Sequence, residues 1–152
     1  MVSRFEQFTG LISAGNRFVQ KIERDEMEKY GLKGAYAQYL LAMTRYPDGI
    51  TATELCEVCD RDKAAVSRIL SELESKELIR RVNPGESQYR SRLALTEAGL
   101  EAANFVERRA TIAVELAGRG LSESDRQIFY SALERITSNL NELCQNGLPD
   151  EM

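Results

Sequence analysis

The sequence predicts a mainly α-helical fold with one small β-hairpin. Three observations carry that expectation. Apolar residues recur at helical spacing along most of the 152-residue chain. Capping boxes, Ser or Thr followed three residues on by Glu, open two of the helical runs, at Ser3–Glu6 and Thr51–Glu54. Residues 78–95 alone read as paired strands, joined by a polar turn containing Pro-Gly.

The elements follow in order. After Ser3, the residues Phe5, Phe8, Ile12, Gly15, Val19 and Ile22 alternate in spacings of 3 and 4, a heptad-like seam on a helix reaching about Tyr30. A second helix, from about Lys33 to Tyr46, is apolar on most sides through Ala35, Tyr36, Tyr39, Leu40 and Met43, so it belongs in the centre. Pro47-Asp48-Gly49 ends it. Thr51 opens a short third helix to about Cys59; Asp60-Arg61 connects, and Asp62 caps a fourth helix. Short helix, tight turn and longer helix make a helix-turn-helix. The strands Leu78–Val82 and Tyr89–Leu95 flank the turn 83–88, which adds a wing. Thr96 caps a long helix to about Arg119, and Ser122 caps a last one to about Gln145, striped by Ile128, Phe129, Leu133, Ile136, Leu140 and Leu143.

Composition is that of a globular protein: 43% apolar, 29% charged, net charge −4. The charge is uneven. Residues 61–96 hold eight Lys/Arg against five Asp/Glu, whereas residues 97–152 hold five against ten. A local basic patch on an acidic chain is compatible with a nucleic-acid partner. There is no histidine, phosphate-loop pattern, GxGxxG or GxSxG, so we expect neither an enzyme nor a bound cofactor. The absence of a transmembrane-length apolar run, the charged N-terminus and the three cysteines lead us to expect a cytoplasmic protein with no membrane partner. Cys56 and Cys59 form a CxxC inside the third helix. That placement favours two small residues filling space over a zinc site, which lacks two further ligands, or a thiol-based redox switch.

The fourth helix carries the functional expectation. At about 100° per residue, Val66, Ile69, Leu70 and Leu73 form one apolar stripe. Opposite it lie Ala64, Ser67, Arg68, Ser71 and Ser75, where an ordinary solvated helix shows long charged side chains. A major groove about 12 Å wide admits a helix whose outer face is short. Arg68 suits a guanine edge, the Ala64 methyl a thymine methyl, and Ser67 and Ser71 bases or phosphates. Lys63, in the first turn, suits phosphate, and Arg90 and Arg92 on the wing suit phosphates or the minor groove. The sober alternative is a solvated helix in a bundle, or a winged-helix module that binds protein rather than DNA.

The order Leu55-Cys-Glu, Asp62-Lys63, Val66-Ser67-Arg68, Leu73-Glu74, Lys76-Glu77-Leu78-Ile79-Arg80, then Leu93-Ala-Leu-Thr96-Glu-Ala-Gly99, resembles the multiple-antibiotic-resistance regulator (MarR) family. The resemblance implies a homodimeric transcription factor with one winged helix-turn-helix per subunit, a pseudo-palindromic operator, and repression relieved by a small-molecule inducer. It also implies a ligand cleft beside the winged module, for which Tyr36, Tyr39, Met43 and Arg17 are candidates. Three positions depart from the family pattern. Ser87 and Tyr89 stand where its wing often carries Asp and Arg, and Glu77 stands where it usually has Gly.

We therefore expect one winged helix-turn-helix domain over residues 1–152, with 33–96 binding DNA and 1–31 and 97–146 pairing two copies. The terminal stripes are longer than the central module can cover, and a second copy would bury them. Candidate interface residues are Phe5, Phe8, Ile12, Leu133, Ile136, Leu140 and Leu143.

Overall fold

The computed structural model describes residues 3–83 and 91–149. Helices α1 (Arg4–Lys29), α2 (Ala37–Thr44), α3 (Ala52–Cys59) and α4 (Lys63–Ser75) precede strands β1 (Ile79–Arg81) and β2 (Leu93–Leu95). Helices α5 (Glu97–Ala117) and α6 (Glu123–Asn146) follow. The chain divides into two compact units, Met1–Ala113 and Val114–Met152, with the division falling inside α5.

Local chemistry sets the helix starts. The Ser3 and Thr51 capping boxes both form, and Ser122 forms a third with Asp125. Asp62 caps α4 by accepting from the Ala65 amide at 2.9 Å, and Thr96 caps α5 by accepting from the Gly99 amide at 3.0 Å. The predicted second helix is shorter than its apolar pattern. Residues Gly34–Tyr36 wind as a 3-10 turn and α2 proper begins at Ala37. Gly34 lies so close to α1 that a Cβ there would sit 2.8 Å from the Arg24 Cα. The tighter turn accommodates that approach. At the other end Arg45 caps α2, two residues before Pro47.

The core of the first unit gathers around α2. Tyr36, Leu40, Ile50, Leu55, Val66 and Leu73 are each 0% exposed. Burying one such aliphatic side chain contributes about 1.5–3 kcal/mol, so these contacts fix α3 and α4 against α2. Of α1, only Met27 is buried. That end is held by Glu26, which takes the Arg109 guanidinium of α5 at 2.5 Å, and by Tyr30 stacked on Phe105 at 4.6 Å.

The wing is shorter at its base than the sequence suggests and has an extra neighbour. β1 and β2 pair antiparallel, Ile79 opposite Leu95 and Arg81 opposite Leu93. Beyond them the Val82 amide still donates to the Arg92 carbonyl at 2.8 Å. Ile50, ahead of α3, exchanges both backbone hydrogen bonds with Leu93 at 2.9 Å. A single bridge residue has no period of its own, so periodicity does not reveal it. Gly99 closes the base: a Cβ there would lie 1.9 Å from the Leu78 carbonyl oxygen.

In the second unit, the turn after α5 is tied by Arg126, which donates to the Gly118 carbonyl at 3.2 Å and pairs with Glu115 at 3.1 Å. None of α6 is buried.

Candidate nucleic-acid interface

The two faces of α4 separate as the sequence predicts. Val66, Ile69, Leu70 and Leu73 are buried. Lys63, Ala64, Ser67, Arg68, Ser71 and Ser75 are all exposed. The helix is presented by the left-handed turn at Asp60 (φ 50°), which ends α3, and by the Asp62 cap. The hydroxyls of Ser71 and Ser75 donate to carbonyls of their own helix, Ser67 at 3.0 Å and Glu72 at 2.8 Å. Folded back in this way they keep the face slim.

Four of the expected contact residues line two concavities beside α4. Lys63, Ser67 and Ser71 line a cleft of about 330 Å3 with Cys56, Glu74 and Arg81, between α3, α4 and the sheet. Arg68 lines another, of about 410 Å3, with Ala65, Arg61 and Arg24. Gln20, Glu23, Gln38 and Tyr39 also line it. Of the four residues suggested for a ligand cleft, only Tyr39 is found there. Tyr36 and Met43 are core, and Arg17 lies with its guanidinium 5.1 Å from the Phe18 ring. The other two arginines of this cleft, Arg24 and Arg61, carry no pattern that marks them in the sequence. They come from different elements, and only folding brings them together.

The acidic residues of α4 are not bare. Glu74 takes Arg81 of β1 in a two-pronged contact at 3.0 and 3.3 Å. Glu72 accepts from the Tyr36 hydroxyl at 2.5 Å and from Lys33 Nζ at 2.8 Å. Those two hydrogen bonds hold its carboxyl below the ordinary carboxylate range. Burial, reinforced by the same carboxylate, pushes the Tyr36 hydroxyl up to about 12.

On the wing, Arg92 is half-exposed, but its guanidinium donates to the Gly49 carbonyl at 2.7 Å and reaches Glu54 at 3.8 Å. It bolts the wing base to the turn ahead of α3, which leaves less of it for phosphate. Arg90, Ser87 and Tyr89 lie outside the described residues. Glu77 adopts φ 57°, the left-handed backbone that glycine takes without strain. The helix end survives because the Leu78 amide reaches back to Leu73 at 3.0 Å and Thr96 donates to the Glu77 carbonyl at 2.6 Å.

Cys56 and Cys59 are partly buried, on one side of α3, and pack on the core. Burial pushes the Cys59 thiol up, away from the reactive thiolate. Among the described residues there is no His/Cys/Asp/Glu group that would hold a metal, and no helix is long and apolar enough to cross a membrane.

Helix pair, exposed short-faced helix and two-stranded wing define a winged helix-turn-helix protein. A family model described as the MarR family matches residues 30–87, a stretch that contains α2, α3, α4 and β1. Solved structures agree over nearly the whole length. A MarR-family transcriptional regulator of Listeria monocytogenes, complexed with 26mer DNA, superposes with a TM-score of 0.77 at 20% identity, covering 100% of both chains. MepR of S. aureus, in a DNA complex, gives 0.79 at 19%, covering 88% of this chain and 97% of its own. A MarR regulator of Methanosarcina mazei Go1 gives 0.79 at 21%, covering 91% and 99%. No curated protein sequence matches this chain significantly.

Proposed function

We propose that this protein regulates transcription by binding duplex DNA as a homodimer, with α4 of each subunit in a major groove of a pseudo-palindromic operator. One observation carries the reading: the face of α4 opposite its core stripe is exposed, short and bears Arg68. The DNA complexes of the Listeria and S. aureus relatives support it. Arg68 reads a guanine edge, Ala64, Ser67 and Ser71 contact bases or phosphates, and Lys63 anchors phosphate. Arg90 adds a wing contact, and Arg92 works chiefly by holding the wing base. Residues 33–96 supply this surface, and the terminal helices pair the copies so that two recognition helices stand about 34 Å apart.

Binding represses until a small inducer intervenes. The cleft lined by Arg24, Arg61 and Arg68 suits that role, because a ligand there occupies the arginine that reads DNA. A ligand shifts the equilibrium only by its preference for the state that misfits DNA. The chain acts in the cytoplasm, without a cofactor.

The test is a titration onto DNA from the protein's own promoter region at several salt concentrations. A regulator gives sequence-dependent affinity with a steep salt slope. Arg68→Ala lowers specific affinity by about 1–3 kcal/mol, the worth of a bidentate base contact. Equal losses on specific and random DNA reduce Arg68 to a phosphate contact. No salt slope at all assigns the module to a protein partner instead.

A further inference from the structure

The segment joining α1 to α2 grips the recognition helix through one carboxylate. Glu72 lies on α4 one turn after Arg68. Its Oε2 receives both the Tyr36 hydroxyl, at 2.5 Å, and Lys33 Nζ, at 2.8 Å. The Tyr36 ring is 0% exposed, so it cannot follow α4 if that helix rolls. The 3-10 turn that carries Tyr36 is itself wedged on α1, where Gly34 leaves no room for a Cβ beside Arg24. The turn is thus held on one side by backbone contact and on the other by a hydrogen bond to α4. Residues four apart on a helix share a face, and the Arg68 charge lies close enough to favour the ionised Glu72.

We propose that Glu72 is a positioning residue for Arg68: latched by Tyr36 and Lys33, it fixes the roll of α4 and hence the direction in which Arg68 enters the groove. The consequence for specificity rests on the DNA-binding reading, whereas the latch rests on the fold alone. Its charge by itself would act the other way. A carboxylate beside phosphates weakens binding to any duplex, without regard to sequence.

That opposition makes the latch testable. Tyr36→Phe removes one hydroxyl and changes no charge at neutral pH, and the buried ring stays to fill the core. It lowers the ratio of operator to random-duplex affinity about tenfold, as for loss of a hydrogen bond to a charged group, and leaves the salt slope unchanged. Glu72→Ala, which also releases Lys33, lowers the ratio at least as much, and the double variant Tyr36→Phe/Glu72→Ala loses no more than Glu72→Ala alone, since Tyr36 then has no acceptor left to lose. Glu72→Gln keeps an acceptor for Tyr36 and keeps the ratio. An unchanged ratio in Tyr36→Phe overturns the proposal, as does a ratio lost equally in Glu72→Gln and Glu72→Ala, which would assign the effect to charge. Hydrogen exchange on the free protein separates this from the DNA reading. The α4 amides from Ile69 to Leu73 exchange faster in Tyr36→Phe and Glu72→Ala than in the wild type. Equal rates overturn the latch whether or not the wild type binds an operator, and a wild type without sequence-dependent binding overturns the DNA reading alone.

Discussion

Helices α4 and α6 carry the same kind of pattern and meet different fates. Each starts at a capped residue, Asp62 or Ser122, and each repeats apolar residues along one side. In the 13 residues of α4 four side chains are buried by the chain's own core, whereas in the 24 residues of α6 none is. Ile136, Leu140 and Leu143 stay 39%, 45% and 38% exposed. Along α1 the same holds for Phe5 at 75% and Ile12 at 46%. An apolar stripe reports that a helix is to be covered, not by which chain. Covering one such stripe with a second copy is the reading we favour, because burial of apolar area drives association as it drives folding.

The largest test breaks the uncovered stripes. Charges introduced together at Phe5→Glu and Leu140→Glu should turn a dimer into a monomer in sedimentation, with helicity retained. Operator affinity should fall about 100-fold or more, because the two half-sites no longer bind as one. An intact dimer would remove these stripes from the interface. Next comes the covered stripe. Leu73→Ala, at a side chain 0% exposed, should cost about 2–5 kcal/mol of unfolding free energy. That loss should appear at every protein concentration in denaturant titration, because its partners lie in the same chain.

Two smaller tests sharpen how α4 is seated. Tyr36 is held protonated in the fold, its hydroxyl pushed from the ordinary value near 10 to about 12. Below pH 10 both folded and unfolded chains keep that proton, and the stabilisation is complete. As pH rises from 10 to about 12 only the unfolded chain releases it, so stability should fall over that window. Tyr36→Phe should flatten this part of the stability profile. Glu77→Gly should raise stability by about 1 kcal/mol, by relieving a left-handed backbone at a residue with a Cβ. Thermal unfolding would detect it, and a destabilised variant would mean that the Glu77 backbone is unstrained.

Much of this was legible in the residues. The helix starts follow from caps, which act within three residues of the chain. The split of α4 into a buried and an open face follows from the helical period alone. Overreach came where tertiary contact overrode propensity, as in the second helix, tightened by Gly34 against α1. Arg92 illustrates the limit for site residues. Its type and place suggested phosphate, and nothing local announces that the Gly49 carbonyl, 43 residues away, accepts from it.

The sequence by itself settled where most of the helices lie and which side of α4 is apolar. These depend on spacing, and spacing is written in the chain. Tertiary structure alone decided that Ile50 extends the sheet, that Arg81 neutralises Glu74, and that Tyr36 and Lys33 converge on Glu72 from 36 and 39 residues away. Such pairings join side chains that share no period. They exist only once the core has closed and the distance between elements is fixed.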